Sequence, residues 1–242
     1  MESNGRKRLK ENFSEAHEKY TDLTLAYEKE APIVRGDLKF TAEYESISLN
    51  DIYKIEIVIP VDYPNSPPLV KETGGKIPRD FHKYPDGYLC LAAPLEVRQK
   101  FNQNKTLLGF IDSLLIPYLY SYSFLLKYNK LPYGELSHGF EGILESYKGI
   151  FGVSSEIDTM SLLKVLAEDN YRGHINCPCG SGERLRNCHG QVLLKIKNQQ
   201  SKKSFFTEYF NLLLYLFPDV KDAPRKLISK RLLNDLKRYS TH

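Results

Sequence analysis

The sequence predicts an α+β fold, with an N-terminal helix and paired strands followed by a mainly helical C-terminal half. Two segments, "DLKFTAEYES" and "DIYKIEIVIP", alternate apolar and polar residues, the period of half-buried strands. Beyond residue 105 the helical period dominates. Before the strands, apolar residues recur every three or four positions within residues 5–27, which predicts a helix with one buried face: Leu9, Phe13, Ala16, Tyr20, Leu23 and Tyr27.

The segments around the strands are predicted from their turn-forming residues. "SISLND" lies between the two strands and predicts a turn. "VDYPNSPPLV" contains three prolines, which end regular strand pairing because proline has no N–H to donate. Residues 81–104 show neither period, and we expect irregular structure there.

The C-terminal half is predicted to be a series of helices. One starts near Lys105 and is kinked or broken at Pro117, because proline interrupts helical hydrogen bonding. Further helices are predicted for "FEGILESYKGIFG", which ends at a glycine, for residues 157–172, and for "FFTEYFNLLLYLF" and "PRKLISKRLLNDLKRY". The loop "YNKLPYGELSHG" carries His138, for which we expect a structural role. We place one domain at residues 1–152 and a second, helical one at 153–242.

Composition excludes several classes of protein. The net charge of +4 is mild, so it fits an acidic protein partner and does not require nucleic acid, which we do not expect as a partner. The apolar segment 107–126 is long enough to span a bilayer, but it contains Asp112 and Pro117, so a packed core helix is predicted and no membrane. The N-terminal segment is polar, which predicts a cytoplasmic protein without a secretory signal.

Three of the four cysteines lie close together in "CPCGSGERLRNCHG", residues 177–190. Three thiols and an adjacent imidazole are the donors that Zn²⁺ prefers, and the glycines allow the backbone to turn tightly around an ion. Four protein ligands leave no open position for water, so the predicted zinc site is structural rather than catalytic. The predicted ligands are Cys177, Cys179, Cys188 and His189.

This segment closely resembles the SEC-C motif, the zinc-binding element found at the C-terminus of the SecA translocase and in many bacterial proteins. The likeness rests on the Cys-Pro-Cys-Gly-Ser-Gly start, the basic residues Arg184 and Arg186, and the Cys-His-Gly end. In that family the element contacts other proteins, so the resemblance implies docking.

The remaining cysteine, Cys90, lies in "YPDGYLCLAAP", directly after a turn-forming Pro-Asp-Gly. Its flanking leucines allow it to be a small, inert core residue. Alternatively it is a nucleophile held at the end of a turn, since a thiol is reactive at neutral pH without a strong activating base.

The segment 5–125 resembles the core of the ubiquitin-conjugating enzymes. The shared features come in the family order: an N-terminal helix, a strand meander, "YPNSPP", a histidine (His82), then "GYLCL" with Cys90 and a helix in "NKTLLGFIDSLL". The resemblance implies that a ubiquitin-like modifier is accepted from an activating enzyme as a thioester on Cys90 and passed to an amine of a protein target. Prokaryotic relatives of this kind occur in anti-phage operons, which implies a role in antiviral defense.

The sequence departs from the family beside the histidine. His82 is followed by Lys83 and Tyr84, where the family has Pro-Asn, and that asparagine is associated with stabilising the oxyanion. Substitutes include amides of the Asp86-Gly87 turn, Tyr84, and an asparagine of "FNQNK", Asn102 or Asn104. Asp86 is a candidate for positioning or deprotonating the incoming amine, although an aspartate before glycine more often forms the turn. For His82 we expect mainly the ordering of the loop.

Three functions therefore remain open. The first is an active conjugating enzyme whose zinc element docks a partner. The second is a catalytically impaired relative that binds a ubiquitin-like protein or another partner as an adaptor. The third is an adaptor that acts through its zinc element alone. A cysteine hydrolase is a less supported fourth, because no well-spaced histidine partner is evident around Cys90.

Overall fold

The computed structural model describes residues 4–28, 31–132 and 139–239 of the chain. The chain divides into two compact units, residues 1–136 and residues 137–242. The first unit contains a four-stranded antiparallel sheet with helices, and the second is helical, so the predicted α+β class is confirmed. Residues 139–151, which the sequence analysis grouped with the first domain, belong to the second unit.

The first unit begins with helix α1, Asn4–Lys19, and strand β1, Leu23–Glu28. The predicted helix over residues 5–27 is therefore wrong beyond Lys19. Leu23 and Tyr27 fit a strand as well as a helix, because they are four positions apart, and Leu25 between them completes a period of two. Pairing with the next strand decides between the two, since β1 joins β2 along its whole length.

The sheet is a meander in the order β1-β2-β3-β4, with every neighbouring pair antiparallel. Strand β2 is Ala31–Tyr44, β3 is Ile47–Val58 and β4 is Leu69–Glu72. The turn between β2 and β3 is Glu45-Ser46, with φ of 46° and 66°. Two left-handed residues are typical of a type I′ hairpin turn, so the turn predicted at "SISLND" is misplaced and most of that segment lies in β3.

Three helices follow the sheet in the first unit. Helix α2, Pro94–Gln103, lies where irregular structure was predicted, with Pro94 in its first turn and Leu95 and Phe101 buried. Helices α3, Leu107–Phe110, and α4, Ile116–Tyr128, are joined by a π-helical turn. This turn directly precedes Pro117, whose missing N–H favours such a local irregularity over a break.

The core of the first unit lies where α1 and the α3–α4 segment pack against one face of the sheet. Leu38, Ile55, Ile57, Phe110 and Leu119 are fully buried there. The segment Leu107–Tyr128 is long and apolar enough to cross a membrane, but 72% of its apolar window is buried inside the protein. That burial is expected of a core helix.

The second unit is built from short helices. Helix α5 ends where Gly152 adopts a φ of 70°, as predicted. The helix predicted over residues 157–172 ends at Ala167, and the last helix begins at Lys230 rather than near residue 224. The helices are α5 Gly139–Phe151, α6 Glu156–Ala167, α7 Gly190–Lys197, α8 Lys202–Leu216 and α9 Lys230–Tyr239.

Candidate functional site

A short hairpin carries Cys90. Lys83 and Leu89 form an antiparallel bridge, and the amide of Tyr84 donates to the carbonyl of Tyr88 over 2.8 Å. The turn closes with a 2.9 Å hydrogen bond from the Gly87 amide to the Tyr84 carbonyl. Gly87 has a φ of 86°, which a glycine adopts without strain. Proline, aspartate and glycine thus occupy turn positions that suit them, and the local sequence defines the hairpin.

The hairpin is anchored to the sheet on its inner side. The amide of Leu89 donates to the carbonyl of Val70 over 2.8 Å, and Tyr88 bridges Lys71, so this segment continues the sheet beyond β4. Leu89 is 4% exposed, whereas Tyr84 is 40% exposed. Side chains alternate between the two faces of a hairpin, which places Tyr84 and Cys90 together on the face opposite Leu89.

His82 precedes the hairpin and holds it through its backbone. Its carbonyl accepts hydrogen bonds from the Cys90 amide at 2.7 Å and from the Tyr118 hydroxyl at 3.2 Å. The Tyr118 hydroxyl also donates to the carbonyl of Phe81 over 3.1 Å. The His82 ring lies edge-on to the Phe81 ring, with centroids 4.8 Å apart. These contacts hold the loop before the hairpin through the backbone carbonyls of Phe81 and His82.

Lys83, the residue after His82, is held by a buried ion pair. The Lys83 ammonium lies 3.7 Å from a carboxylate oxygen of Glu72, whose side chain is fully buried. Glu72 also accepts from the amides of Lys76 and Ile77, each at 3.2 Å, and Lys83 donates to the Ile77 carbonyl at 2.6 Å. A buried pair needs such additional hydrogen bonds to offset the cost of removing both charges from water.

The thiol of Cys90 is partly buried. Its Sγ lies 3.8 Å from the Ala92 carbonyl oxygen. Burial raises the pKa of the Cys90 thiol, and a side-chain hydrogen bond from Tyr84 opposes this by lowering it. The thiol is therefore mainly protonated at neutral pH, with Tyr84 favouring its ionised form.

The other residues predicted around Cys90 occupy different positions. Asp86 is exposed at the tip of the hairpin, and its carboxylate accepts from the Tyr88 amide over 3.3 Å, as turn-forming aspartates do. Asn104 caps the end of α2, and its side-chain oxygen accepts from the Thr106 hydroxyl at 3.1 Å. Asn102 lies on α2. His138 lies outside the described residues.

Two residues of this region were not predicted from the sequence. Tyr118 lies in an apolar helix, where an aromatic residue is usually part of the core. Glu72 gives a clearer signal in retrospect. It shares a strand face with Val70, and an acidic residue at a buried strand position needs a partner.

The predicted metal ligands lie together in the second unit. Cys177 and Cys179 belong to a tight loop with left-handed residues at Gly180 and Gly182, both with φ of 81°. The Cys177 amide donates to the Glu183 carbonyl over 2.7 Å, which closes this loop. Cys188 follows a 3₁₀ turn over Leu185–Asn187.

The four ligand atoms all lie within 4.8 Å of one another. The Sγ atoms of Cys179 and Cys188 are 3.6 Å apart, and Nδ1 of His189 lies 3.2 Å from Cys177 Sγ and 3.1 Å from Cys188 Sγ. Metal–sulfur bonds of about 2.3 Å in a tetrahedron place two sulfurs about 3.8 Å apart. The cluster therefore has the donors and the spacing to hold one metal ion.

Close packing around position 190 requires a glycine directly after His189. A Cβ at this position would lie 2.6 Å from the Tyr171 hydroxyl and 2.7 Å from the Leu185 carbonyl oxygen. His189 is the N-cap of α7, so this close approach sets how the helix meets the loop that carries the thiols. The final glycine of "CHG" is thus required by packing beside the metal ligands.

No family model, no curated protein and no solved structure matches the chain.

Proposed function

We propose that the first unit carries a ubiquitin-like modifier as a thioester on Cys90. The observation that carries the proposal is the position of Cys90, partly buried at the end of a hairpin and hydrogen-bonded through its amide to His82. The order of elements supports it, since α1, a four-stranded meander, this hairpin and the α3–α4 segment follow the order of a ubiquitin-conjugating core.

The proposed reaction is two acyl transfers. In the first, the Cys90 thiolate attacks the thioester carbonyl on an activating enzyme, a new C–S bond forms, and the enzyme's thiolate leaves. In the second, an amine of a protein target attacks the carbonyl on Cys90, the amine loses its proton to solvent, and the Cys90 thiolate leaves with the electrons of the C–S bond. Since Cys90 must stay reduced, we place the reaction in the cytoplasm.

For the second unit we propose a structural Zn²⁺ held by Cys177, Cys179, Cys188 and His189. Three thiols and an imidazole favour zinc, and four protein donors leave no position for a reacting water. Burial raises the pKa of Cys177 to about 12, so metal binding displaces a proton from this ligand. The resemblance of residues 177–190 to the SEC-C motif supports a role in docking a protein partner. The resemblance of the first unit to prokaryotic conjugating-enzyme-like proteins supports bacterial antiviral defense as the biological setting.

A second candidate function is non-covalent binding of a ubiquitin-like protein. The raised pKa of Cys90 favours it, because a protonated thiol is a poor nucleophile. Lys83 and Tyr84 occupy the positions of the family's Pro-Asn, and Lys83 is committed to the buried pair with Glu72.

Expression of tagged variants in the native host separates the two candidates. Non-reducing gels of the wild-type protein should show an adduct that thiols remove, and Cys90→Ser should trap it as a thiol-resistant ester. Mass spectrometry should find the modifier's C-terminal carboxyl on residue 90. A modifier that copurifies equally with wild-type protein and Cys90→Ala, without any covalent adduct, would establish the binding function instead.

A further inference from the structure

The hairpin brings a second chemical group to Cys90. Tyr84 pairs with Tyr88 across the hairpin, and Cys90 lies two residues beyond Tyr88 on the same face. Such diagonal neighbours are about 7–8 Å apart at their Cα atoms, within reach of an aromatic side chain. The hairpin register therefore places the Tyr84 side chain within reach of Cys90, and the lowering effect of Tyr84 on the pKa of the Cys90 thiol agrees with this.

Acyl transfer at Cys90 requires a hydrogen-bond donor for the oxygen of the tetrahedral intermediate. When the amine attacks, the carbonyl π electrons move to the oxygen, and a donor already in place lowers the barrier. This oxygen is two bonds from Sγ. A phenol that reaches Sγ in the free protein therefore reaches that oxygen by a small rotation of its side chain.

Three backbone amides of the hairpin are already engaged as donors. The Gly87 amide donates to the Tyr84 carbonyl, and the Tyr88 amide donates to the Asp86 carboxylate. The amide of Cys90 itself donates to His82. The side-chain oxygen of Asn104 accepts from the Thr106 hydroxyl, which holds this side chain at the end of α2.

We infer that Tyr84 is the oxyanion donor for acyl transfer at Cys90, an inference that rests on the proposed function. A tyrosine hydroxyl can donate a hydrogen bond to a developing oxyanion. Tyr84 is 40% exposed, so the residue is accessible from solution. Pro85 follows it at the turn position where proline pre-sets the backbone, which holds Tyr84 at the base of the turn.

The test uses the full-length protein and a short peptide thioester of mercaptoethanesulfonate that ends in Gly-Gly. The peptide is transferred to Cys90, the excess is removed, and discharge to free lysine is followed at pH 8 by intact mass. Tyr84→Phe should slow discharge at least tenfold, towards the loss of about 10²-fold that removal of an oxyanion donor typically causes.

Tyr88→Phe is the matched control. Tyr88 lies in the same hairpin, and its ring packs under the Lys71 ammonium at 4.4 Å, a contact that phenylalanine retains. This variant should discharge at the wild-type rate. Alkylation by iodoacetamide, which forms no oxyanion, should proceed equally in all three proteins at a pH where Cys90 is ionised.

The outcomes separate the inference from the proposed function. If Cys90 is acylated but Tyr84→Phe discharges like wild type, or if Tyr88→Phe is slowed as much, the role of Tyr84 is wrong and the carrier function stands. If the peptide is never transferred to Cys90, both the carrier function and the role of Tyr84 are wrong.

Discussion

The amide of Cys90 donates a 2.7 Å hydrogen bond to the carbonyl of His82. This bond joins the residue before the hairpin to the residue after it, so the loop cannot open without breaking it. Tyr118 holds the same carbonyl from the long helix. The position of the thiol is therefore set jointly by the hairpin turn, the sheet and a core helix.

The pH dependence of Cys90 alkylation is the first prediction. Burial raises the pKa of this thiol, and the thiolate is the reacting form. The rate with iodoacetamide should rise with pH through an inflection above the ordinary cysteine value of about 8.5. Tyr84→Phe removes a bond that lowers the pKa and should move the inflection further up. Mass spectrometry measures the alkylation at Cys90. An inflection below pH 7 would contradict the burial of this thiol.

The second prediction concerns the buried pair of Glu72 and Lys83. Glu72→Gln leaves the Lys83 charge without its counter-ion in a buried position, so the free energy of unfolding should fall by about 3 kcal/mol. Chemical denaturation measures it. A double variant with Lys83→Met should lose less than the sum of the two single changes.

Glu28→Gln is the control for that pair. Glu28 forms an ion pair with Arg35 in which both side chains are about half exposed. Solvent screens such a pair, so this variant should lose no more than about 1 kcal/mol. Equal losses of unfolding free energy for Glu28→Gln and Glu72→Gln would show that burial of the Glu72–Lys83 pair has no energetic consequence.

The third prediction concerns metal content. Cys188→Ser removes a ligand that lies 3.6 Å from Cys179 Sγ and 3.1 Å from His189 Nδ1. Elemental analysis should find about one zinc per chain in the wild-type protein and much less in the variant. Cys90→Ser, which changes the cysteine outside the cluster, should keep the wild-type content. A variant at residue 188 with full zinc content would refute the ligand set.

The fourth prediction tests the packing behind His189. Gly190→Ala places a methyl group 2.6 Å from the Tyr171 hydroxyl, so it should lower both the melting temperature and zinc retention against a chelator. Gly149→Ala in α5 is the matched control, since no atom lies within 4 Å of its added Cβ. That change should leave stability unchanged or slightly higher, because alanine favours a helix. Equal behaviour of the two variants would show that Gly190 has no packing role.

Local sequence predicts those features of the fold that depend on local chemistry. The alternation in β2 and β3, the Pro-Asp-Gly turn and the ligand cluster are all visible in short segments. The end of α1 could not be placed, because Leu23 and Tyr27, four positions apart, satisfy both periods and only pairing with β2 makes this segment a strand.

The candidate site was predicted only in part for a similar reason. Cys90 and His82 stand out by residue type, but four alternative oxyanion donors were equally consistent with the sequence. The choice of Tyr84 depends on the register of the hairpin, and the role of Glu72 depends on a lysine eleven positions away along the chain. The first relationship depends on strand register and the second on tertiary packing, and residue type alone specifies neither.

The most direct measurement of the central claim is site-resolved mass spectrometry after incubation of the full-length protein with the Gly-Gly peptide thioester. The acyl group should be found on Cys90 of the wild-type protein and be released by hydroxylamine, and Cys90→Ala should acquire none. Acylation that persists unchanged in Cys90→Ala, or that is confined to Cys177, Cys179 or Cys188, would contradict the assignment of Cys90 as the acyl carrier.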